Sequence, residues 1–519
     1  MFSARGRLTS DIGCVLPNTI KILVNGYKKT PKPVRPQECV NGCINMKDIY
    51  EVPPCDTHSC FFDDSGHTAH KPNALADSKS QPDESAVFSV LQFGAIIPPL
   101  SPWRGIRRFM PGYQYRGTEL VGPLRLVCPA NVATLNSEQQ SYDIERLLDR
   151  CLVDLIGDQP DPVLLFSGGV DSGLIASRLV ALGYGESLLL NYCFGEDDRE
   201  SQLAEAMAKH LGLRFERISA TRNFCDCLIE PGRIYPQPFG DRSTVPTSEL
   251  AHAVVDRLVG EHRVILDGTG ADGCFGMANK INAWSRVERL PALARQAASL
   301  LYAATLWHRK GRMEYLCRML RRSMDMPLLS AALAQNPLSG VLYRNLPTND
   351  VHNLLADWVG GWVGESIPHR IVAADLALTC ANIFAQKGQP ILELAGHRVH
   401  YPFLQTEVVS VALASIHHGQ MDEPKAPLKR SLARHVPRDM VYRPKSPFTD
   451  PLDRVFFDAN FIAYLRSAAD SASPISTLLN QKPLIKVCDL LSRRVDLPLQ
   501  TRNCIWSITF MDRWYRTAR

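Results

Sequence analysis

The sequence predicts an α/β fold: a parallel sheet flanked by helices, a mainly helical C-terminal part, and a smaller, reduced β-rich domain at the N-terminus. Three observations predict it. PVLLFSGGVDSGLIASRLVALG joins a short apolar run to a helical pattern through a glycine turn, as a buried strand feeding a helix does. SLLLNYCF with DRESQLAEAMAKHLG, and SELAHAVVDRLVG with RVILDGTGADG, continue the alternation, and short apolar runs between helices of this size imply parallel strands covered on both faces. From about residue 285 to the closing CIWSITFMDRWYR the apolar spacing is helical almost throughout.

The elements follow in order. Residues 1–85 are rich in Pro, Cys, Asp and Ser, with only brief strand-like runs such as TIKILVNGY. AVFSVLQFGAIIPPLSPWRGIRRFMPGYQ, residues 86–114, begins as a helix, passes a Pro-rich turn and ends near Pro111-Gly112, which closes a first domain at about residue 115. A second domain over 135–519 opens on the helix SYDIERLLDRCLVDLI. A chain of 519 residues exceeds the usual span of one core, which fits two domains.

Composition narrows the function classes. Net charge is only +5, with Lys and Arg scattered, so nucleic acid is not an expected partner. No apolar run is long enough for a bilayer, and MFSARGRLTS lacks the apolar core of an export signal; the expected location is cytoplasmic, without membrane association. Fifteen cysteines in such a chain are expected as reduced thiols. Cys14, Cys39, Cys43, Cys55 and Cys60 lie near His58, His67 and His70, but their spacings are looser than a zinc knuckle, and free thiols are the better expectation.

Ser167-Gly168-Gly169-Val170-Asp171-Ser172 sits where a strand gives way to a helix, so backbone amides can cradle phosphate oxygens. The glycines allow close approach, Ser167 and Ser172 can donate to oxygens, and Asp171 can hold magnesium. The Lys of a Walker loop is missing, which disfavours transfer of a terminal phosphate. About a hundred residues on, Asp267-Gly268-Thr269-Gly270-Ala271-Asp272-Gly273 ends another strand, and since parallel strand ends line one crevice, Asp272 is expected to face Asp171 across metal and pyrophosphate.

SGGVDS resembles the pyrophosphatase loop of the asparagine synthetase family, and DGTGADGCFG resembles that family's second nucleotide loop. Tyr401-Pro402-Phe403-Leu404 is similar to its PFL segment, LKRSLARHVPRDMVYRPKSPF (428–448) to its late Lys-containing loop, and GIRRFMPG extends the likeness upstream, to roughly 86–519. The resemblance implies an adenine nucleotide α-hydrolase-like sheet, ATP and Mg2+, and cleavage of ATP to AMP and pyrophosphate through an acyl-adenylate. It implies magnesium on Asp171 and Asp272, nucleotide or pyrophosphate contacts at Leu165, Ser167, Gly168, Gly169, Asp171, Ser172, Phe194, Gly268 and Gly270, and charge neutralisation by Lys445, which follows Arg443 and Pro444.

The sequence also departs from the family. Glutamine-dependent members begin with a cysteine nucleophile, whereas this chain begins Met1-Phe2, so residues 1–115 are expected to be a degenerate glutaminase-like domain. Thr269 stands where asparagine synthetases carry Glu and β-lactam-forming relatives carry Tyr; Arg398 and His400 replace a Glu and an Arg, and Gln405 replaces an Asp. This combination resembles the lasso-peptide cyclases, which adenylate an Asp or Glu side chain of a precursor peptide and close a macrolactam with the peptide's own N-terminal amine. The resemblance implies a leader-binding protein and a leader peptidase as partners, and places Thr269 and His400 at the catalytic centre, His400 as a candidate acceptor of the amine's proton. The alternatives are a small-molecule amidotransferase using ammonia, and a non-catalytic nucleotide-binding relative, against which the retained Asp171, Asp272 and Lys445 speak.

Overall fold

A computed structural model describes residues 49–124, 126, 137–193, 198–219, 225–297, 312–335, 342–344, 346–364, 366–416, 423–443 and 452–518. Two three-stranded antiparallel sheets open the chain: β1 (Ile49–Val52), β2 (Phe61–Asp63), β3 (Thr68–Ala69), β4 (Ile106–Arg108), β5 (Tyr113–Arg116) and β6 (Glu119–Pro123) pair in the orders β1-β5-β6 and β3-β2-β4. Between β3 and β4 runs the helix Glu84–Phe93, capped by the Asp83 carboxylate at its start and by left-handed Gly94 at its end. The strands are two to five residues long, too small to bury a core alone, so the unit leans on the rest of the molecule. Trp103 packs edge-on against Tyr515 with ring centroids 5.1 Å apart, the Tyr515 hydroxyl donates to Pro102 O at 2.8 Å, and Trp358 Nε1 donates to Pro111 O at 2.8 Å.

The central sheet is parallel, with β7 (Val163–Leu165), β8 (Leu188–Tyr192), β9 (Arg214–Ile218), β10 (Val264–Leu266) and β11 (Arg398–His400) in the order β11-β10-β7-β8-β9. The inner strands VLL, LLLNY and VIL are apolar and almost wholly buried, as strands covered on both faces must be. Strand order doubles back after β9. Right-handed crossovers therefore put the helices Val170–Ala181 and Arg199–Leu211 on one face, and Thr244–Arg257 with Ala385–Leu394, which pack on each other, on the other. The expected parallel α/β sheet with a helical C-terminal part is what the chain forms; β9 and β11 were not foreseen.

One helical departure lies near the site. Between the helices Ile367–Ala374 and Ala385–Leu394, residues Asp375–Phe384 are wound as a π-helix, and their side chains are mostly buried. Among the cysteines discussed from sequence, Cys55 is a buried thiol and Cys60 a half-buried one, and Cys14, Cys39 and Cys43 lie outside the described residues. His58 sits 2.8 Å from Glu393 Oε1 and His67 3.2 Å from Asp63 Oδ2. No described helix is long and apolar enough to cross a membrane.

Candidate active site

β7 ends at Leu165, and two residues later the chain turns through Gly168 and Gly169 into the helix Val170–Ala181. Gly168 has φ +66°, and a Cβ there would lie 2.6 Å from Ala204 Cα, so the turn accepts only glycine. The serines shape the turn from within: Ser167 N–H donates to Ser172 Oγ at 3.2 Å, the two hydroxyls are 3.2 Å apart, and Gly169 N–H donates to Ser167 Oγ at 3.3 Å. Gly169 is the N-cap and offers no side-chain oxygen, so the first amides of the helix stay available to an anion. Arg443 braces the loop from outside, donating to Gly168 O at 3.0 Å and pairing with Glu200 Oε2 at 2.7 Å.

The second loop follows β10. Asp267 N–H donates to His400 O at 3.0 Å, and the Asp267 carboxylate accepts from Thr269 N–H at 2.7 Å, folding the chain back over Gly268. A Cβ on Gly268 would stand 3.2 Å from Asp171 Cβ, so the two loops touch. Gly270, at φ +105°, leaves 2.6 Å between a built Cβ and Leu404 Cδ2, which seats the loop on the Pro402–Leu404 turn. Asp272 then lies in the first turn of the short helix Ala271–Phe275.

A cation joins the loops. Lys425 Nζ is 2.6 Å from Asp171 Oδ2 and 2.8 Å from Asp272 Oδ1. Its backbone is left-handed, φ 61°, and its N–H donates to Phe275 O at 2.7 Å, which fixes where the side chain starts. Burial alone would lower the Lys425 pKa, but the charges of Asp171 and Asp272 outweigh burial and raise it. Two carboxylates thus converge on one positive centre. No group of three or more His, Cys, Asp or Glu that could cage a metal occurs among the described residues. Magnesium is nonetheless a fit for this donor set, because it is typically held by one or two carboxylates and completed by phosphate oxygens and water.

The structure therefore gathers Ser167, Gly168, Gly169, Asp171, Ser172, Gly268, Thr269, Gly270 and Asp272 at the C-terminal ends of β7 and β10. His400 meets this cluster through its carbonyl, at the base of the second loop. Leu165 lines a small cavity on the β10 and β11 side of the phosphate loop, with about 30 Å3 open to water among Asp267, Gln389, Tyr401 and apolar side chains of the helices Thr244–Arg257 and Ala385–Leu394. Burial raises the pKa of Asp267 despite its bonds to Thr269, and raises that of Tyr401 well above the ordinary value. Phe194 and Lys445 lie outside the described residues. Sequence reasoning missed Lys425, whose only local signal is its place between Pro424 and Pro427 just before a helix, and it gave Asp267 no role of its own.

The sequence profile of the Asparagine synthase family matches residues 143–516, a span that takes in both loops, Lys425 and Arg443. No curated protein matches the chain.

Proposed function

We propose, from the premise that this chain belongs to the asparagine synthase family and so has the ATP-dependent amide-ligase activity of that family, that it adenylates an Asp or Glu side chain of a precursor peptide and closes a macrolactam with the peptide's N-terminal amine. The observation that carries the ligase reading is the convergence of Asp171 and Asp272 on the Lys425 ammonium beside the Ser167–Ser172 turn. A half-buried carboxylate and an exposed one built around a cation, next to a helix N-terminus, suit a polyphosphate bound with its counter-ion.

The residues divide the work. The first amides of the helix Val170–Ala181, with Ser167 and Ser172, hold the departing pyrophosphate, and Gly168 lets it approach the backbone. Asp171 and Asp272 would hold magnesium, which when bound supplies positive charge to the phosphate oxygens. Lys425, beside both carboxylates, would add a second positive charge where the α–β bond breaks. The substrate carboxylate attacks the α-phosphorus and pyrophosphate leaves; the neutral amine next attacks the acyl carbon, its nitrogen loses a proton to solvent, AMP leaves, and the amide forms. Lys445 is assigned to neutralise charge in the same steps, and residues 1–115 are assigned as a reduced glutaminase-like domain.

The peptide reading rests on the acceptor side. Thr269, where an acid-base Glu or Tyr would stand, gives its N–H to Asp267, and Gln405 donates to Tyr401 O at 3.2 Å. Neither is arranged as an elaborate base, and an intramolecular amine needs one least. The test follows AMP and peptide mass with purified protein, ATP, magnesium and precursor peptides bearing a free small N-terminal residue. Loss of one water per AMP supports ring closure. AMP formed only with free Asp and ammonia replaces it with asparagine synthesis, and no pyrophosphate exchange with any carboxylate overturns the ligase assignment for this chain.

A further inference from the structure

Two helices begin at the site and are tied, farther along, to a third. The helix Val170–Ala181 starts beside Asp171, and the helix Ala426–Leu432 starts at Lys425. Both pack against the helix Ser137–Ile156 and against each other. The helix Ser137–Ile156 carries Ser141, Glu145 and Asp149 at intervals of four residues, which puts them in one row. Asp149 receives the Arg178 guanidinium as a bidentate pair, Nε to Oδ1 at 2.7 Å and Nη2 to Oδ2 at 2.8 Å. Glu145 Oε1 accepts from Ser431 Oγ at 2.6 Å and from Arg434 Nη2 at 2.6 Å, and it lies 3.2 Å from His435 Nε2. Arg434 Nη1 donates to Ser141 Oγ at 2.8 Å. The two halves meet where Arg178 Nη1 lies 3.9 Å from Glu145 Oε2 and 3.2 Å from His435 Nε2. The Glu145 and Arg178 side chains are only 12% and 10% exposed, so salt and water screen little of the network, and its paired bonds hold direction as well as distance.

At ~1.5 Å per residue, Arg178 stands about 10 Å behind Asp171, and Ser431 about 9 Å behind Lys425. Groups that far back touch no reacting atom, but they set the direction of each helix. Lys425 is pinned at its own end by its N–H on Phe275 O at 2.7 Å. One pin leaves a helix of seven residues free to swing, and Ser431 with Arg434 supplies the second. Arg178 does the same for the helix that carries Asp171. We propose that Glu145, Asp149, Arg178, Ser431 and Arg434 form a positioning unit that holds Lys425 Nζ in register with Asp171 and Asp272 by fixing two helices on a third. A charge displaced by about 1 Å can cost ~100-fold in rate, so a unit remote from the chemistry still governs it. The inference rests on the amide-ligase reading for what Lys425 does in turnover, and on the network alone for where Lys425 stands.

The test is a double-mutant cycle on the full chain, read first without turnover. Ser431→Ala and Glu145→Gln are measured alone and in combination with Lys425→Met, as the gain in melting temperature from magnesium. A Lys425 that has swung aside leaves Asp171 and Asp272 to the metal, so each single variant should gain more from magnesium than wild type does. Added to Lys425→Met, neither should enlarge the gain further. Gly66→Ala, whose new methyl meets nothing within 4 Å, is destabilised outside the network and should gain as wild type does. ATP–pyrophosphate exchange is the second readout: each variant should lower kcat about tenfold with KM for Mg-ATP within about twofold, yet slow Lys425→Met by less than about twofold. A wild-type magnesium gain in both single variants, an equal added gain with and without Lys425, an enlarged gain in Gly66→Ala, or rate losses that multiply in the double variants overturns the inference. Exchange by the wild type decides the ligase reading by itself, and the melting cycle decides the placement whichever way that falls.

Discussion

Replacing Lys425 by Met removes the cation while keeping an unbranched side chain, and Met bears the same left-handed backbone cost as Lys. Each of the contacts at 2.6 and 2.8 Å corresponds to about 6 kcal/mol of Coulomb attraction at an effective dielectric of ~20. Desolvation of the ammonium takes back several kcal/mol of that sum. Asp272 is 58% exposed, so water screens its share to at most about 1 kcal/mol. Asp171 is 23% exposed and would be left without its cation, which puts the net loss of stability at about 3 kcal/mol. Magnesium should repair part of this loss, because the freed carboxylates bind it without competition from Lys425, and binding to the folded state raises stability. The assay is thermal denaturation with and without magnesium, beside ATP–pyrophosphate exchange. The variant should melt lower than wild type, gain more from magnesium than wild type gains, and exchange about a hundredfold more slowly. A variant that melts and exchanges like wild type would refute the assignment of Lys425 as the resident countercharge.

Other perturbations separate shape from charge. Gly168→Ala should cost more than about 2 kcal/mol in chemical denaturation and abolish exchange, because φ is +66° and Ala204 Cα would be 2.6 Å from the new Cβ. Gly66→Ala, at φ +85° with open space around it, should cost only about 1–2 kcal/mol and leave exchange intact; equal penalties at the two sites would count against the close-approach argument. Arg443→Ala loses the bonds to Gly168 O and Glu200 and should slow exchange about tenfold, with an unchanged rate excluding a bracing role. Glu145 is partly desolvated, which opposes ionisation, but bonds from His435, Ser431 and Arg434 hold its pKa at about 2, below the unfolded value of 4.5. A depressed carboxylate contributes stability above the unfolded value and loses it as pH falls toward 2. Glu145→Gln should therefore cost at most about 3 kcal/mol near neutrality, and the gap to wild type should narrow below pH ~4.5; a gap that stays constant to pH ~3 would contradict the linkage.

How much of this was legible in the sequence depended on whether the cause was local. The Ser167–Ser172 turn could be read because its glycines sit at a strand-to-helix junction and a second such loop, Asp267–Asp272 after VIL, follows it in the chain. Lys425 could not: its partner Asp171 is 254 residues away, and its position depends on a left-handed backbone and on the Phe275 carbonyl. β9, RFERI, escaped because an edge strand trades apolar alternation for charge, and β11 because three residues leave no period to detect. The N-terminal strands are only two to five residues long, and their pairing partners lie up to 67 residues off, as in Ile49 with Arg116. His58 joined Gln389 and Glu393 through tertiary packing that no spacing in the sequence announces.

The π-helical stretch Asp375–Phe384 sets a reading frame for everything after it. A wider turn takes up residues without advancing the face of the helix by the usual ~100° per residue, so the Ala385–Leu394 helix leaves the stretch with Gln389 on the cavity and Lys387 on Asp241, 2.5 Å away. Deleting one residue inside it would let the helix relax to ordinary winding and turn that whole face aside, exchanging the cavity's polar wall for a different set of side chains while every strand of the sheet stayed in place. Insertions and deletions here would thus change which side chains face the cavity while the loops that follow β7 and β10 kept their shape.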